Sequence, residues 1–220
     1  MPDAGGRWTN AAEAAARLPD IAALHRRCRA LAMLETITVR DAYYRAFSYR
    51  AGRATYHNGS GDHLVLAFTD AGALVHGFDH ESPMSPWAND DEVWPGLLDG
   101  VPAPLAPLLS HPFLTGDAGD PPSVTLCLWR EPDDALWRTG PVEFAGSDGA
   151  DMLRILAGPD PDTYAAFAAD IHGTTLDTEA VARVCALEPL TPALVHALAP
   201  GTDFVEIAAE AVRAGFPTAP

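Results

Sequence analysis

Two patterns of hydrophobic and polar positions divide the chain. Between residues 43 and 80 the two kinds of side chain alternate, most clearly over 63–69, as in a β-strand with one buried face. Turn-forming residues at 57–62 and 69–72 interrupt this stretch. The pattern predicts a three-stranded antiparallel meander over residues 43–80, and a further strand at 124–129 that pairs with residues 142–144.

Helical spacing marks the segment after Asp20 and the last third of the chain. Apolar residues recur every three to four positions from Ile21 to Leu31, which predicts a helix that begins at the N-cap Asp20 and ends near Glu35. From residue 148 onward the apolar spacing is helical again. Thr191 is a suitable N-cap for one of these later helices.

The ends and the middle of the chain carry weaker signals. Residues 1–19 are rich in Ala and Gly and are expected to form a loose tail or a short helix. Asp203 is a suitable N-cap for the last helix. Residues 82–122 are so rich in proline that only short helical pieces are expected there, near 93–98 and 103–109.

Strands early in the chain and helices late indicate an α+β protein. We expect an N-terminal helix, an antiparallel sheet of about four to six strands and a helical C-terminal third. The length of 220 residues suits one sizeable core, and no repeat or linker interrupts the sequence. The sequence therefore predicts one domain over 1–220, with 1–19 as its tail and 148–215 as its helical part.

The charge is strongly acidic and unevenly distributed. The chain has a formal net charge of −16, and all of its 14 basic residues are arginine. Residues 1–60 hold nine arginines and five acids, whereas residues 61–220 hold five arginines and 25 acids. An acidic body of this kind repels the phosphate backbone, so we expect no nucleic-acid partner and favour a basic protein partner. The alternative is a solvated acidic surface that serves solubility alone.

The composition also bears on compartment and cofactors. No apolar run is long enough to span a bilayer, and no signal peptide precedes the first helix. Cys28, Cys127 and Cys185 are odd in number and lie in apolar patterns, which predicts buried free thiols. We therefore expect a cytoplasmic protein without a membrane partner. No Walker loop or Gly-x-Gly-x-x-Gly motif is present, so no cofactor is predicted.

The densest cluster of reactive side chains follows the strand predicted near residue 78. Pro83 and Pro86 punctuate a run of polar residues that ends in a tryptophan, a combination that presents a stiff recognition surface. The competing interpretation is a scaffold, in which short polar side chains pair with backbone groups where the strand leaves the sheet. The candidate binding residues are Asp79, His80, Glu81, Ser82, Met84, Ser85 and Trp87, with the neighbouring Asp90, Asp91 and Glu92. We expect Asp90 to Glu92 also to cap a helix near residue 93.

Histidines in the same region suggest a metal site as the alternative. If the chain bends after the strand, His76, His80 and Glu81 would meet His57 or His63 around one ion. Two histidines and a carboxylate are a ligand set that zinc prefers. The spacing matches neither His-Glu-x-x-His nor the deaminase pattern.

The remaining histidines and serines give weaker evidence for a functional site. His172 and His196 are isolated in the sequence and are interpreted as surface or cap positions. A Ser-His-acid hydrolase lacks support, because adjacent residues on an extended chain point apart and no Gly-x-Ser-x-Gly elbow is present.

Three segments carry a resemblance to known sequences. The block Gly-Phe-Asp-His-Glu-Ser-Pro-Met-Ser-Pro at 77–86, Trp-Pro-Gly at 94–96 and Cys-Leu-Trp-Arg at 127–130 resemble a family of uncharacterised bacterial proteins. The resemblance implies a single unit of about 200 residues and brings no known activity. In size and charge the chain is also similar to immunity proteins of toxin systems.

Taken together, these observations favour a cytoplasmic binding or interaction module without catalytic activity and with an acidic surface. The alternative is a metal-assisted hydrolase that uses His76, His80 and Glu81. The sequence leaves the oligomeric state and the choice between enzyme and binding protein open.

Overall fold

The structure is a computed structural model that describes residues 6–110, 122–144, 146–158 and 160–219. Over these residues the chain forms seven α-helices and one antiparallel sheet of six strands, which confirms the predicted α+β class. The strands are β1 (Phe47–Arg50), β2 (Arg53–His57), β3 (His63–Thr69), β4 (Gly72–Phe78), β5 (Leu126–Arg130) and β6 (Arg138–Thr139). The helices are α1 (Ala11–Arg17), α2 (Ile21–Thr38), α3 (Arg154–Ala157), α4 (Pro161–His172), α5 (Thr178–Cys185), α6 (Pro192–Leu198) and α7 (Phe204–Arg213).

The chain divides into two compact units. Unit 1 comprises Met1–Ile21 and His57–Ala157, and unit 2 comprises Ala22–Tyr56 and Gly158–Pro220. No helix in the described part of the chain combines the length and the apolar character that a bilayer span requires.

Unit 1 is organised around β4, whose seven residues are all buried. β4 pairs antiparallel with β3 on one side and β5 on the other, so that His76 lies opposite Val65 and Cys127. The strand β3 covers His63–Thr69, as its alternating pattern predicts. The core below the sheet contains Leu74, Met84 and Trp129, all almost inaccessible to solvent.

Two sequence expectations in unit 1 are refined. The partner of β5 is the two-residue β6, whereas residues 142–144 lie outside any strand. Pro141 lacks an N–H group and cannot extend the ladder, which explains why β6 ends before it. Within the segment 1–19, Ala11–Arg17 adopt the helical alternative, with the Asn10 side chain accepting a hydrogen bond from the N–H of Glu13.

Unit 2 contains the hairpin β1–β2 and five helices. α2 continues to Thr38, beyond the predicted end near Glu35, and α4, α5 and α6 pack in sequence order. Thr191 and Asp203 cap α6 and α7 through their side-chain oxygens, as predicted. The predicted strand over 43–49 is shorter, because residues 42–44 form a 3₁₀ turn before β1.

The three cysteines are free thiols, as their number and spacing predict. Cys28 and Cys127 are buried, and Cys185 is half-buried. Burial raises the pKa of the Cys28 and Cys127 thiols to about 12, so both remain protonated and unreactive at neutral pH.

The turn between β3 and β4 requires glycine at position 72. Gly72 has φ of +130°, and a Cβ there would lie 2.3 Å from the carbonyl oxygen of Arg130. Gly59 also has a positive φ of +76°, but no atom lies within 4 Å of its Cβ position. A side chain at either position would strain the backbone, but only position 72 also lacks the space for a Cβ atom.

We expect Gly72→Ala to lower the free energy of unfolding by about 3 kcal/mol, because the strain of positive φ adds to a clash that only a strand shift relieves. Gly59→Ala, the control, should cost about 1 kcal/mol from strain alone. Urea denaturation of both variants measures this. Equal losses would mean that the approach of Arg130 does not constrain the turn.

Candidate functional site

The candidate binding residues lie on one loop of unit 1, residues 79–92, called here the acidic loop. The loop is a series of consecutive turns. The carbonyl of Asp79 accepts from the N–H of Ser82 (3.1 Å), that of Ser82 from Ser85 (2.9 Å), and that of Ser85 from Ala88 (2.8 Å). The carbonyl of Pro86 then accepts from the N–H groups of both Asn89 and Asp91, each at 2.9 Å. Successive turns of this kind give the loop one defined backbone path.

Side chains reinforce the start of the loop. The carboxylate of Asp79 accepts from the N–H of Glu81 at 3.0 Å, and the hydroxyl of Ser82 accepts from the N–H of Met84 at 3.1 Å. These are the short polar contacts at a strand exit that the scaffold interpretation describes. The same Ser82 hydroxyl donates to the carbonyl of Ser147 at 2.7 Å.

A buried threonine ties the loop to its neighbours in unit 1. The hydroxyl of Thr125 accepts from the N–H of Asp79 at 3.0 Å and donates to the carbonyl of Asp148 at 2.8 Å. Gly149 lies against the same point, since a Cβ there would come within 2.9 Å of the Asp79 Cβ. The first residues of the acidic loop are therefore fixed from two sides.

The predicted binding residues separate into buried and exposed groups. Ser82, Met84 and Ser85 are at most 2% exposed, and Met84 belongs to the core. Trp87 is 58% exposed, although Trp129 and Trp137 are buried. The exposed members of the predicted set are His80, Glu81, Trp87, Asp90, Asp91 and Glu92. The buried members hold the loop in place, and the exposed members are available to a partner.

The expectation that Asp90 to Glu92 cap a helix is wrong, since residues 93–100 form no helix. Asp90 and Asp91 have φ of +53° and +61°, whereas an N-cap requires an extended backbone. Two adjacent non-glycine residues in the left-handed region are uncommon, and such strain concentrates at functional sites.

A second feature of unit 1 is a group of three potential metal ligands. Asp62, Asp79 and His80 each place one ligand atom within 4.8 Å of the others. The Nδ1 of His80 lies 2.7 Å from a carboxylate oxygen of Asp62, which also accepts from the His80 backbone N–H at 2.9 Å. The hydrogen bond to Asp62 raises the pKa of His80. Burial raises the pKa of Asp79, and the negative charge of Asp62 raises it further. The hydrogen bond from the N–H of Glu81 acts in the opposite direction.

Of the five residues predicted as ligands, this group contains only His80. His76 is fully buried in the centre of β4, and His63 lies at the start of β3 with its ring 5.6 Å from that of Phe78. His57 ends β2, and Glu81 is exposed beside His80. Asp62, which the sequence analysis interprets as a turn residue only, is brought to His80 by the pairing of β3 with β4.

Unit 2 contains a buried carboxylate that the sequence analysis did not single out. Glu35 is inaccessible to solvent and accepts from the N–H of Ala46 at 2.7 Å and from the hydroxyl of Tyr164 at 2.9 Å. Nε2 of His172 lies 3.1 Å and 3.2 Å from its two oxygens. Burial, followed by the charge of Glu35, raises the pKa of Tyr164.

This network corrects the interpretation of His172 as a surface residue. Its side chain is only 11% exposed, although it lies in the last turn of α4 as a cap position would. Glu35 lies more than 120 positions from both Tyr164 and His172, so no local pattern reveals the network. A buried charge with this many partners is costly to disrupt, and we interpret the network as structural.

Comparisons with protein-family models, with curated proteins and with solved structures find no match to this chain. The resemblance to a bacterial family therefore stays a prediction. Function is therefore inferred from the geometry of the site.

Asp148 adds a buried carboxyl group beside the acidic loop. It is 4% exposed and accepts from the N–H of Ala11 at 2.6 Å and of Ala150 at 3.0 Å. Burial raises the pKa of Asp148 from 3.8 to about 6, and the negative charge of Asp79 contributes to the increase. The two hydrogen bonds from backbone N–H groups oppose this increase. The ionised form is thus disfavoured in the folded state.

We expect Asp148 to make unit 1 less stable as the pH rises from about 4 to 6. Between its unfolded pKa of 3.8 and its folded pKa of about 6, the unfolded chain loses this proton first. Up to about 3 kcal/mol of stability is then lost over that window. Asp148→Asn should flatten this part of the pH profile, as measured by urea denaturation at several pH values.

Asp133→Asn, which removes an exposed carboxylate of unit 1, is the control and should leave the slope unchanged. Parallel profiles for the wild type and Asp148→Asn would contradict the assignment.

Proposed function

We propose that the protein is a non-catalytic binding module that recognises a basic protein partner through the exposed side chains of the acidic loop. The observation that carries the proposal is the exposure of Trp87 on a fixed frame. Trp87 is 58% exposed, whereas Met84, Ser85 and Pro86 immediately before it are buried. An exposed tryptophan whose backbone is already ordered loses little entropy on binding, which is typical of an interaction hot spot.

The charges around Trp87 support a cationic partner. Asp90, Asp91 and Glu92 follow it within five positions and are all exposed. The turn that carries them is closed by the amide of Asn89, which donates to the carbonyl of Glu92 at 2.9 Å. An exposed tryptophan followed within five positions by exposed carboxylates suits an arginine or lysine, which can make a cation–π contact and an ion pair.

The acidic charge of the whole chain supports the same partner. With a net charge of −16, the protein attracts basic partners and disfavours nucleic acid. The immunity role suggested by size and charge is one form of this function. Free thiols are in keeping with a cytoplasmic location.

We expect a fluorescently labelled arginine-rich peptide to bind the protein and Trp87→Ala to weaken that binding about tenfold, through loss of roughly 1.4 kcal/mol of contact. Fluorescence anisotropy at low salt measures this. Because Trp87 is exposed, the substitution should leave the melting temperature nearly unchanged.

The charge contribution needs a matched control. Asp90→Asn, Asp91→Asn and Glu92→Gln together should weaken binding more than Asp133→Asn, Glu143→Gln and Asp170→Asn, three exposed acids outside the loop. Equal weakening by both sets would show that the peptide senses net charge only, which is the behaviour of a solvated acidic surface.

The second candidate is the metal-assisted hydrolase, with Asp62, Asp79 and His80 as ligands. The observation that favours it is the convergence of these three donors within 4.8 Å. Two carboxylates and an imidazole suit a divalent cation, and three protein ligands leave positions for water or substrate. No described donor set includes His76 with His80.

We expect Mn²⁺ or Zn²⁺ to bind the protein with one-to-one stoichiometry if this candidate holds. Asp79→Asn should weaken binding at least tenfold, since it removes a ligand charge but keeps an oxygen that can accept from Glu81. Isothermal titration calorimetry measures the affinity, with Asp133→Asn as the control. A wild type that takes up neither metal eliminates the candidate.

A further inference from the structure

A cavity in unit 2 differs in charge from the rest of the protein. It has a volume of about 460 Å³, within the range of small-molecule sites, and lies between the middle of α2, β1 and the end of α7. Its charged lining residues are Arg45, Arg50, Arg213 and Glu210. The lining therefore has a formal charge of +2 in a chain with a net charge of −16.

One of the three arginines is already neutralised. Arg213 donates to both carboxylate oxygens of Glu210, from Nε at 3.2 Å and from Nη2 at 2.7 Å. The hydrogen bond from Arg213 lowers the pKa of Glu210, and burial opposes this decrease. The charges of Arg45 and Arg50 add smaller decreases. Both additional cations thus act on the same region of the cavity.

The charges of Arg45 and Arg50 have no second carboxylate among the residues that line the cavity. Arg45 is half-buried, and its Nε donates to the carbonyl of Val39 at 3.0 Å, which holds the guanidinium in place. Arg50 ends β1 and is exposed. Two guanidinium groups at one cavity, one of them held by a backbone contact, are the donors that a phosphate group prefers.

Two aromatic residues of β1 also belong to the cavity lining. Phe47 is 4% exposed and packs on Tyr56 and Phe167, whereas Tyr49 is half-buried with its hydroxyl 2.5 Å from Nε2 of His25. A held tyrosine ring in a lining with arginines suits a ligand with an apolar body and an anionic group. A second cavity of about 790 Å³ shares Thr36, Arg45, Glu210 and Arg213 with the first. Its lining adds Arg40, Asp203 and Glu206, so the excess of positive charge belongs to the first cavity.

We propose that this cavity binds a small phosphate monoester, whose dianionic group is held by Arg45 and Arg50. The lining's formal charge of +2 matches a group that carries between one and a half and two negative charges at neutral pH. The site is independent of the acidic loop, because every residue that lines it belongs to unit 2. Failure of either proposal leaves the other standing.

The test is a titration of the isotopically labelled protein with phenyl phosphate, followed by NMR. We expect the backbone signals of Thr36, Ser48 and Arg50 to shift, with millimolar affinity or tighter. Phenyl sulfate has a similar shape but one negative charge, and should bind at least fivefold more weakly. Benzoate, another monoanion, should bind as weakly as phenyl sulfate.

Arginine variants localise the site. Arg50→Gln removes an exposed guanidinium whose one interaction named above is the charge attraction to Glu210, and should weaken phenyl phosphate binding about tenfold. Arg45→Gln should do the same, and its melting temperature shows whether loss of the Val39 contact unfolds the protein. Arg26→Gln removes an exposed charge of the same unit that does not line the cavity, and should change the affinity less than twofold.

Three results would overturn the proposal. These are no signal shift at about 20 mM phenyl phosphate, equal affinity for phenyl sulfate or benzoate, and equal weakening by Arg26→Gln and Arg50→Gln. Equal affinity for phenyl sulfate or benzoate would mean that the cavity binds anions in general. Equal weakening by Arg26→Gln and Arg50→Gln would mean that binding depends on the net charge of the protein only.

Discussion

The hydroxyl group of Thr125 is the contact on which the candidate binding surface depends. It lies in the interior, where an unpaired polar group is costly, and it uses both its acceptor and its donor capacity, toward Asp79 and toward Asp148. The strand β4 therefore ends at a defined point, and the acidic loop begins in a defined direction. The turns that follow keep Met84 in the core and Trp87 in solvent. A surface that is ordered before it meets a partner loses less entropy on binding.

Charge operates at two ranges in this protein. The net charge of −16 sets the long-range field, which attracts basic partners and is weakened by salt over about 10 Å. At contact distance the local groups decide, so Arg45 and Arg50 make one cavity of unit 2 cationic in an acidic chain. The proposed basic partner and the proposed phosphate ligand thus depend on charge at different ranges.

Whether a helix or strand can be predicted from the sequence depends on where its side chains lie in the fold. The alternating residues predict the exact bounds of β3, but not its burial: Leu64 to Ala67 are all buried, so the centre of the strand is covered on both faces and not on one. β2 was missed, since of Arg53–His57 only Ala54 is buried and the segment carries no apolar alternation. α2 was predicted to end near Glu35, because a carboxylate normally marks the solvated end of an apolar stripe. Here Ala46 and Tyr164 satisfy that carboxylate in the interior, and the helix continues to Thr38.

Composition and the spacing of near neighbours are enough to predict the α+β class, the free thiols, the acidic charge and the densest polar cluster at 79–92. The linear order of residues contains this information directly. The folded chain is needed to know which members of that cluster are exposed, that Asp62 meets His80 across 18 positions, and that Glu35 meets His172 across 137. Such pairings depend on strand register and helix packing, where many weak contacts act together, and no short segment of the chain encodes them.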